Sequence, residues 1–150
     1  MRLFLLFILV LLSVCFGQPL VGEADKLTYE KDKVIYQGNV KLSRGDGTLT
    51  AERVIIYLDE NRKAKLAEAE GNVRYVEGKR RAFADKMIYD FQKDIITLIG
   101  RARVEEGQNF VEGERIVYYR KEDRAEAVGK RVRTFYVEEK DEKVRPDKKP

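Results

Sequence analysis

From residue 20 onward the chain alternates apolar and polar positions with a period of two, interrupted by turn residues about every eleven positions. Candidate turns fall at Lys31-Asp32-Lys33, Arg44-Gly45-Asp46-Gly47, Asp59-Glu60-Asn61-Arg62, Glu77-Gly78-Lys79, Gln92-Lys93-Asp94, Glu106-Gly107-Gln108-Asn109 and Lys121-Glu122-Asp123. Seven turns separate eight long strands. Links this short join neighbouring strands as successive antiparallel hairpins. Apart from a short ambiguity over residues 63–70, no window carries a 3.6-residue stripe. The pattern predicts an all-β domain over residues 18–137.

The strands are of two kinds. In the first, one parity stays apolar throughout. Val34, Tyr36, Gly38, Val40 and Leu42 share a face, as do Ala67, Ala69, Gly71, Val73 and Tyr75, and then Ile96, Leu98, Gly100, Ala102 and Val104. Their polar neighbours, among them Asn39, Lys41, Asn72, Arg74, Arg101 and Arg103, take the opposite face. A mid-strand glycine on the apolar side leaves space and marks a bend or the close approach of another backbone. In the second kind the phase slips by one residue at an acid. Ala51 gives way to Val54 and Ile56, Ala84 to Met87, Tyr89 and Phe91, and Gly113 to Ile116 and Tyr118. An extra residue in these strands, a β-bulge, would produce that slip. Strands bent at one level fold a meander into two facing half-sheets, a jelly-roll-like sandwich in which each long strand is split in two.

Both signatures repeat. Gly38-Asn39-Val40 leads to a turn at Gly45, Gly71-Asn72-Val73 to one at Gly78, and Gly100-Arg101-Ala102 to one at Gly107, with a worn fourth copy starting at Gly129. The acid signature reads Ala24-Asp25-Lys26, Ala51-Glu52-Arg53, Ala84-Asp85-Lys86 and Gly113-Glu114-Arg115. Self-similarity of this kind means that one supersecondary unit has been stacked. Strand parity nominates Tyr36, Val40, Leu42, Val54, Ile56, Val73, Tyr75, Met87, Tyr89, Phe91, Ala102, Val104 and Ile116 as the inner lining. Such side chains fill any sandwich core. The small residues on the same faces leave room for something else, so a filled interior and an apolar groove both stay open here.

Composition changes the picture mainly at the ends. Met1 and Arg2 precede an almost wholly apolar run, and Cys15 and Gly17 place small residues at −3 and −1 of a cut before Gln18. Residues 1–17 therefore read as an export signal peptide, since the run is shorter than the ~20 residues of a spanning helix. Without it the chain has no cysteine and no histidine. That excludes thiol nucleophiles, imidazole bases, disulfides and the usual zinc ligands, and no metal or cofactor is expected. Dropping Arg2 from the 30 basic residues leaves them three ahead of the 26 acidic ones. The charges alternate in sign along strands instead of forming a basic stripe, so nucleic acid is not an expected partner. Residues 138–150 hold five acids, five bases and two prolines, which predicts a charged disordered tail.

The candidate catalytic groups are Asp25, Glu52, Asp85 and Glu114. General acid–base work needs two carboxylates whose environments pull their pKa values apart. Four copies at one structural position, each beside a base, have like environments, so an ion pair or a hydrogen bond to backbone that stabilises the bend is the better reading. No active site is expected.

The Gly-Asn-Val segments at Gly38 and Gly71, the turn glycines Gly45 and Gly78, and the acid segments at Asp25, Glu52 and Asp85 resemble the OstA-like family of periplasmic lipopolysaccharide-transport proteins. The resemblance covers roughly residues 20–136. It departs from the family at Gly113, which stands for alanine, and at Arg131 and Arg133, where apolar residues would be expected. It implies a V-shaped, semi-closed β-jelly roll in the periplasm. Lipid A acyl chains of lipopolysaccharide would lie in the inner groove. Head-to-tail homo-oligomers would link an inner-membrane LptC-like protein to an outer-membrane LptD-like one, through the first strand (residues 20–29) and the last (125–136). Two alternatives accompany it: an LptC-like component that keeps residues 1–17 as an anchor, and a structural β-module that binds no lipid.

Overall fold

The computed structural model describes residues 19–137. The predicted signal peptide with its cut before Gln18, and the predicted tail, lie outside them. Within this span every regular element is a strand. In chain order they are β1 (Val21–Glu23), β2 (Lys26–Tyr29), β3 (Lys33–Arg44), β4 (Gly47–Leu58), β5 (Ala64–Glu77), β6 (Arg80–Asp90), β7 (Ile95–Glu106), β8 (Asn109–Tyr119), β9 (Arg124–Val128) and β10 (Arg133–Phe135). All pair antiparallel in one sheet that does not close. β1 and β2 lie end to end along β3, and β9 and β10 do so along β8. Taking each of these pairs as one broken strand gives the predicted meander, with turns where the glycine and acid–base clusters foretold them.

The expected mid-strand bend is present, but the extra residue sits on the opposite partner from the one predicted. Gln37 pairs with Arg53 and Val40 with Ala51, so Gly38 and Asn39 together oppose Glu52 alone. Gly71 and Asn72 oppose Asp85, and Gly100 and Arg101 oppose Glu114, in the same way. Both residues of each bulge are left-handed, as at Gly71 (φ 86°) and Asn72 (φ 45°). Asparagine tolerates that region better than most side chains. The bulged strand therefore crosses the crease in four steps, Tyr36 to Val40, while its partner crosses in three, Ala51 to Val54. The phase slip on the acid strands is the imprint of the neighbour's bulge.

The crease divides the sheet into two facing halves. Half-sheet I holds β1, β10 and the segments 40–44, 47–51, 73–77, 80–84, 102–106 and 109–113. Half-sheet II holds β2, β9 and the segments 33–37, 53–58, 64–70, 86–90, 95–99 and 115–119. At the β3–β5 end the halves meet in a core of Val34, Tyr36, Val40, Leu42, Ala51, Val54, Ile56, Leu58, Ala64, Ala69 and Val73. Towards β8 the buried set shrinks to Ala84, Leu98, Ala102 and Ile116. The sandwich is filled at one end and thinly filled at the other.

Candidate functional site

Between the half-sheets, over β6 to β9, lies an open cleft of about 430 Å³. Ala82, Val104 and Val111 come from half-sheet I, while Met87, Ile96, Leu98, Ile116, Tyr118, Ala125 and Ala127 come from half-sheet II. Ala82, Ala125 and Ala127 are among its lining, whereas Val34, Tyr36, Leu42, Val54 and Ile56 fill the β3–β5 end.

The polar groups of the site are at its rim. Glu77, Arg80, Arg81, Glu106, Asp123 and Glu126 border the cleft. Arg80 pairs with Glu106 at 3.7 Å. Tyr118 Oη donates to Asp123 at 3.2 Å, and Tyr75 Oη donates to Glu77 at 3.0 Å. Burial pushes the Tyr75 hydroxyl up to about 12, helped by its hydrogen bond to Glu77. Burial alone pushes Tyr36 up to about 12. Tyr89 is raised too, by burial and by donating to Asp94 at 2.6 Å. The interior thus presents neutral, mostly hydrocarbon surface, with paired charges only where it meets water.

The repeated carboxylates lie at the crease, on the glycine of the next long strand. A Cβ on Gly38 would stand 2.5 Å from Asp25 Oδ2, one on Gly71 2.5 Å from Glu52 Oε1, and one on Gly100 2.5 Å from Asp85 Oδ2. The following residue completes the contact. Asn39 Nδ2 donates to Asp25 at 3.0 Å, Asn72 Nδ2 to Glu52 at 3.4 Å, and Arg101 to Asp85 at 2.7 and 3.2 Å. Each acid fills the space the glycine vacates and binds the bulge closed. This arrangement serves structure: each of these three carboxylates packs on a mid-strand glycine and accepts from the side chain that follows it, and Glu114 in the fourth copy lies against Gly129 and accepts from the Lys130 backbone N–H at 3.5 Å.

A model of the LptA/(LptD N-terminal domain) LPS transport protein family matches residues 20–124. The chain belongs to this family. Among similar proteins, Escherichia coli K12 LptA, a lipopolysaccharide export system protein, is 27% identical over 136 residues, covering 80% of this chain and 71% of the relative. Pseudomonas aeruginosa LptH, also a lipopolysaccharide export system protein, is 28% identical over 110 residues, covering 67% and 63%. The LPS-assembly protein LptD of Aliivibrio fischeri is 29% identical over 86 residues, 57% of this chain but 10% of that one. The crystal structure of Pseudomonas aeruginosa LptH, the LptA-homologous periplasmic component of a lipopolysaccharide transport device, superposes with a TM-score of 0.72 at 21% identity. The match covers 81% of this chain and 96% of LptH. The fold is thus the LptA-type β-jelly roll.

This LptA/LptD N-terminal-domain protein divides the predicted inner residues between two environments. Tyr36, Val40, Leu42, Val54, Ile56 and Val73 are buried in the β3–β5 core, with Phe91 packed against it. Ala102 and Ile116 are buried in the smaller cluster, with Val104 packed on it. Tyr75, Met87, Val104 and Ile116 line the cleft. Tyr89 pairs with Ala67 and Ile96 in register, and its ring centroid lies 4.4 Å from that of Phe91. The prediction omitted Ile96, Leu98, Val111, Tyr118 and the alanines 82, 125 and 127. Ile96 and Leu98 share the parity of Gly100, which was a usable signal. Ala125 and Ala127 carried none, being small residues on a highly charged strand.

Proposed function

We propose that this protein carries lipopolysaccharide through the periplasm, with lipid A acyl chains held in the cleft between the half-sheets. Copies of the chain would join edge to edge into a bridge from an LptC-like protein at the inner membrane to an LptD-like one at the outer membrane. Residues 1–17 would direct export and be removed before Gln18. The observation that carries this reading is the apolar, charge-rimmed cleft in a member of a family of LPS transport proteins. Burial of hydrocarbon there gains roughly 25 cal/mol per Å², while the rim keeps a polar head in water. Among the described residues the outer sides of β1–β2 and β9–β10 are unpaired, and they supply backbone donors and acceptors for a further strand.

A photo-crosslinking residue at Val104 is expected to capture lipopolysaccharide in cells. The same residue at Lys41, which is exposed on the opposite face, is expected to capture none. Equal capture at the two positions would remove the cleft from the transport path.

A further inference from the structure

We propose that copies of the chain join in one register, in which Arg133 stands opposite Glu23 of the next copy, Phe135 opposite its Val21 and Val128 opposite its Lys26. The inference rests on the edge-to-edge joining proposed above and adds where along the strands the two edges meet. Three observations carry it.

The first is an alternation of two kinds of strand. The crease acids Asp25, Glu52, Asp85 and Glu114 belong to β1–β2, β4, β6 and β8, and the crease glycines Gly38, Gly71, Gly100 and Gly129 to β3, β5, β7 and β9–β10. Every neighbouring pair in the sheet joins one strand of each kind. The described sheet begins on an acid strand and ends on a glycine strand, so the last strand of one copy and the first of the next continue the alternation. Two first strands, or two last ones, would set like against like. The path holds eight strand positions, an even number, so the added strand runs antiparallel as every pair within the sheet does.

The second is that the ladder does not drift. Followed from strand to strand through paired residues, Glu23 is level with Arg133, Val21 with Phe135, Lys26 with Val128 and Leu27 with Ala127. The crease therefore crosses both edges at one level, at residues 24–25 on the first strand and 129–132 on the last. A bent edge pairs along both of its halves only where bend meets bend. A slip of one residue would exchange the inner and outer faces. A slip of two would keep the faces but set the crease of one copy against a straight segment of the next.

The third is what level pairing brings together. Every large apolar side chain left exposed among the described residues lies within residues 21–27 or 128–137. On the outer face Val21, 55% exposed, meets Phe135, 48% exposed, whose ring already stacks on Phe110. Beside them Glu23 meets Arg133, extending the ion pair that Arg133 makes with Glu112. Apolar and oppositely charged pairs are the cross-strand combinations that stabilise a sheet. On the inner face the exposed Leu27 stands next to Ala127 and adds an apolar side chain to the wall of the cleft.

The test is a disulfide scan of the full chain. Cys15 is its one cysteine, so Cys15→Ser supplies a clean background. Directly opposed residues of antiparallel strands lie ~4.5–5.5 Å apart at Cα, within reach of a disulfide. The two edges of one chain are not paired with each other, so such a bond joins different copies. Val21→Cys with Phe135→Cys, and Lys26→Cys with Val128→Cys, are each expected to give a ladder of covalent oligomers after mild oxidation. Melting temperatures should be unchanged, since all four positions are exposed. Glu23→Cys with Phe135→Cys, and Thr28→Cys with Val128→Cys, shift the register by two residues on the same face and are expected to lose the ladder. A stronger ladder from the shifted pairs would overturn the register and leave the joining standing. So would assembly that grows in sedimentation while either matched pair fails to crosslink. Covalent products that stop at dimers would overturn head-to-tail order. A wild type that is monomeric at every concentration, with no crosslink from any pair, would overturn the edge-to-edge reading itself, whereas capture of lipopolysaccharide at Val104 tests the cleft separately.

Discussion

At Gly71 two constraints coincide. Its φ of 86° lies in the region that L side chains rarely adopt, and the carboxylate of Glu52 occupies the place a Cβ would take. Gly71→Ala is expected to destabilise the fold by about 1–3 kcal/mol, read as a lower urea midpoint. An unchanged midpoint would mean that the bulge can relax. The third copy shows the tolerance of the design, since Arg101 replaces asparagine and still binds its acid, through two guanidinium nitrogens. Tyr36 makes a different prediction. Burial raises its hydroxyl from 10.0 to about 12, so the folded chain keeps a proton that the unfolded chain has lost. The stability it contributes is whole below about pH 10 and declines as the pH rises towards 12, by on the order of 2–3 kcal/mol. Tyr36→Phe should flatten that part of the pH dependence in denaturation midpoints, and a slope identical to wild type would refute the assignment.

Among the elements, the short strand β10 is held by more than its three backbone pairings. On the outer face of half-sheet I, Arg81 reaches Glu105 and Arg103 joins Glu105 to Glu112, which also receives Arg133 of β10 at 3.1 Å. Phe110 and Phe135 stack beneath at 5.7 Å, and the Arg103 guanidinium lies 3.9 Å from the Phe110 centroid. Isolated surface pairs are worth little, whereas a network over an aromatic surface is worth more. Glu112→Gln is expected to cost about 1 kcal/mol and to accelerate amide exchange in Arg133, Thr134 and Phe135 before the core of β8. Uniform acceleration would count against a local role. The elements themselves were legible because period-two alternation, turn residues and repeated glycines each have a direct backbone cause. The partner carrying the bulge was not, because a phase slip is visible in one strand whichever strand holds the extra residue. The division of the inner face into core and cleft was equally hidden. Parity assigns Val54 and Ile116 to the same side, but only the facing residue decides whether the space between half-sheets is filled.

The described residues form an open meander whose two ends are unlike. At one end Val21 and Leu27 are exposed on β1 and β2. At the other, Val128, Phe135 and Tyr136 are exposed, the last at 75%. Unlike edges that pair make a heterologous contact, which repeats without closing. Assembly should therefore grow with concentration instead of stopping at a dimer. The last strand is broken between β9 and β10 by residues 129–132, so Arg131 stands in the gap while Arg133 is drawn to Glu112. Neither charge is placed to guard β9. Its backbone groups alternate in direction, one set bonded to β8 and the other facing outward. A proline scan along β9 should alternate accordingly. Where the N–H faces β8, proline removes a ladder bond and lowers the melting temperature. Where it faces outward, the fold is kept and only the added strand is lost. Sedimentation across a concentration series, with melting curves for each variant, reads both outcomes. A wild type that is monomeric at every concentration, or outward-facing prolines that assemble as wild type does, would exclude β9 as the joining edge.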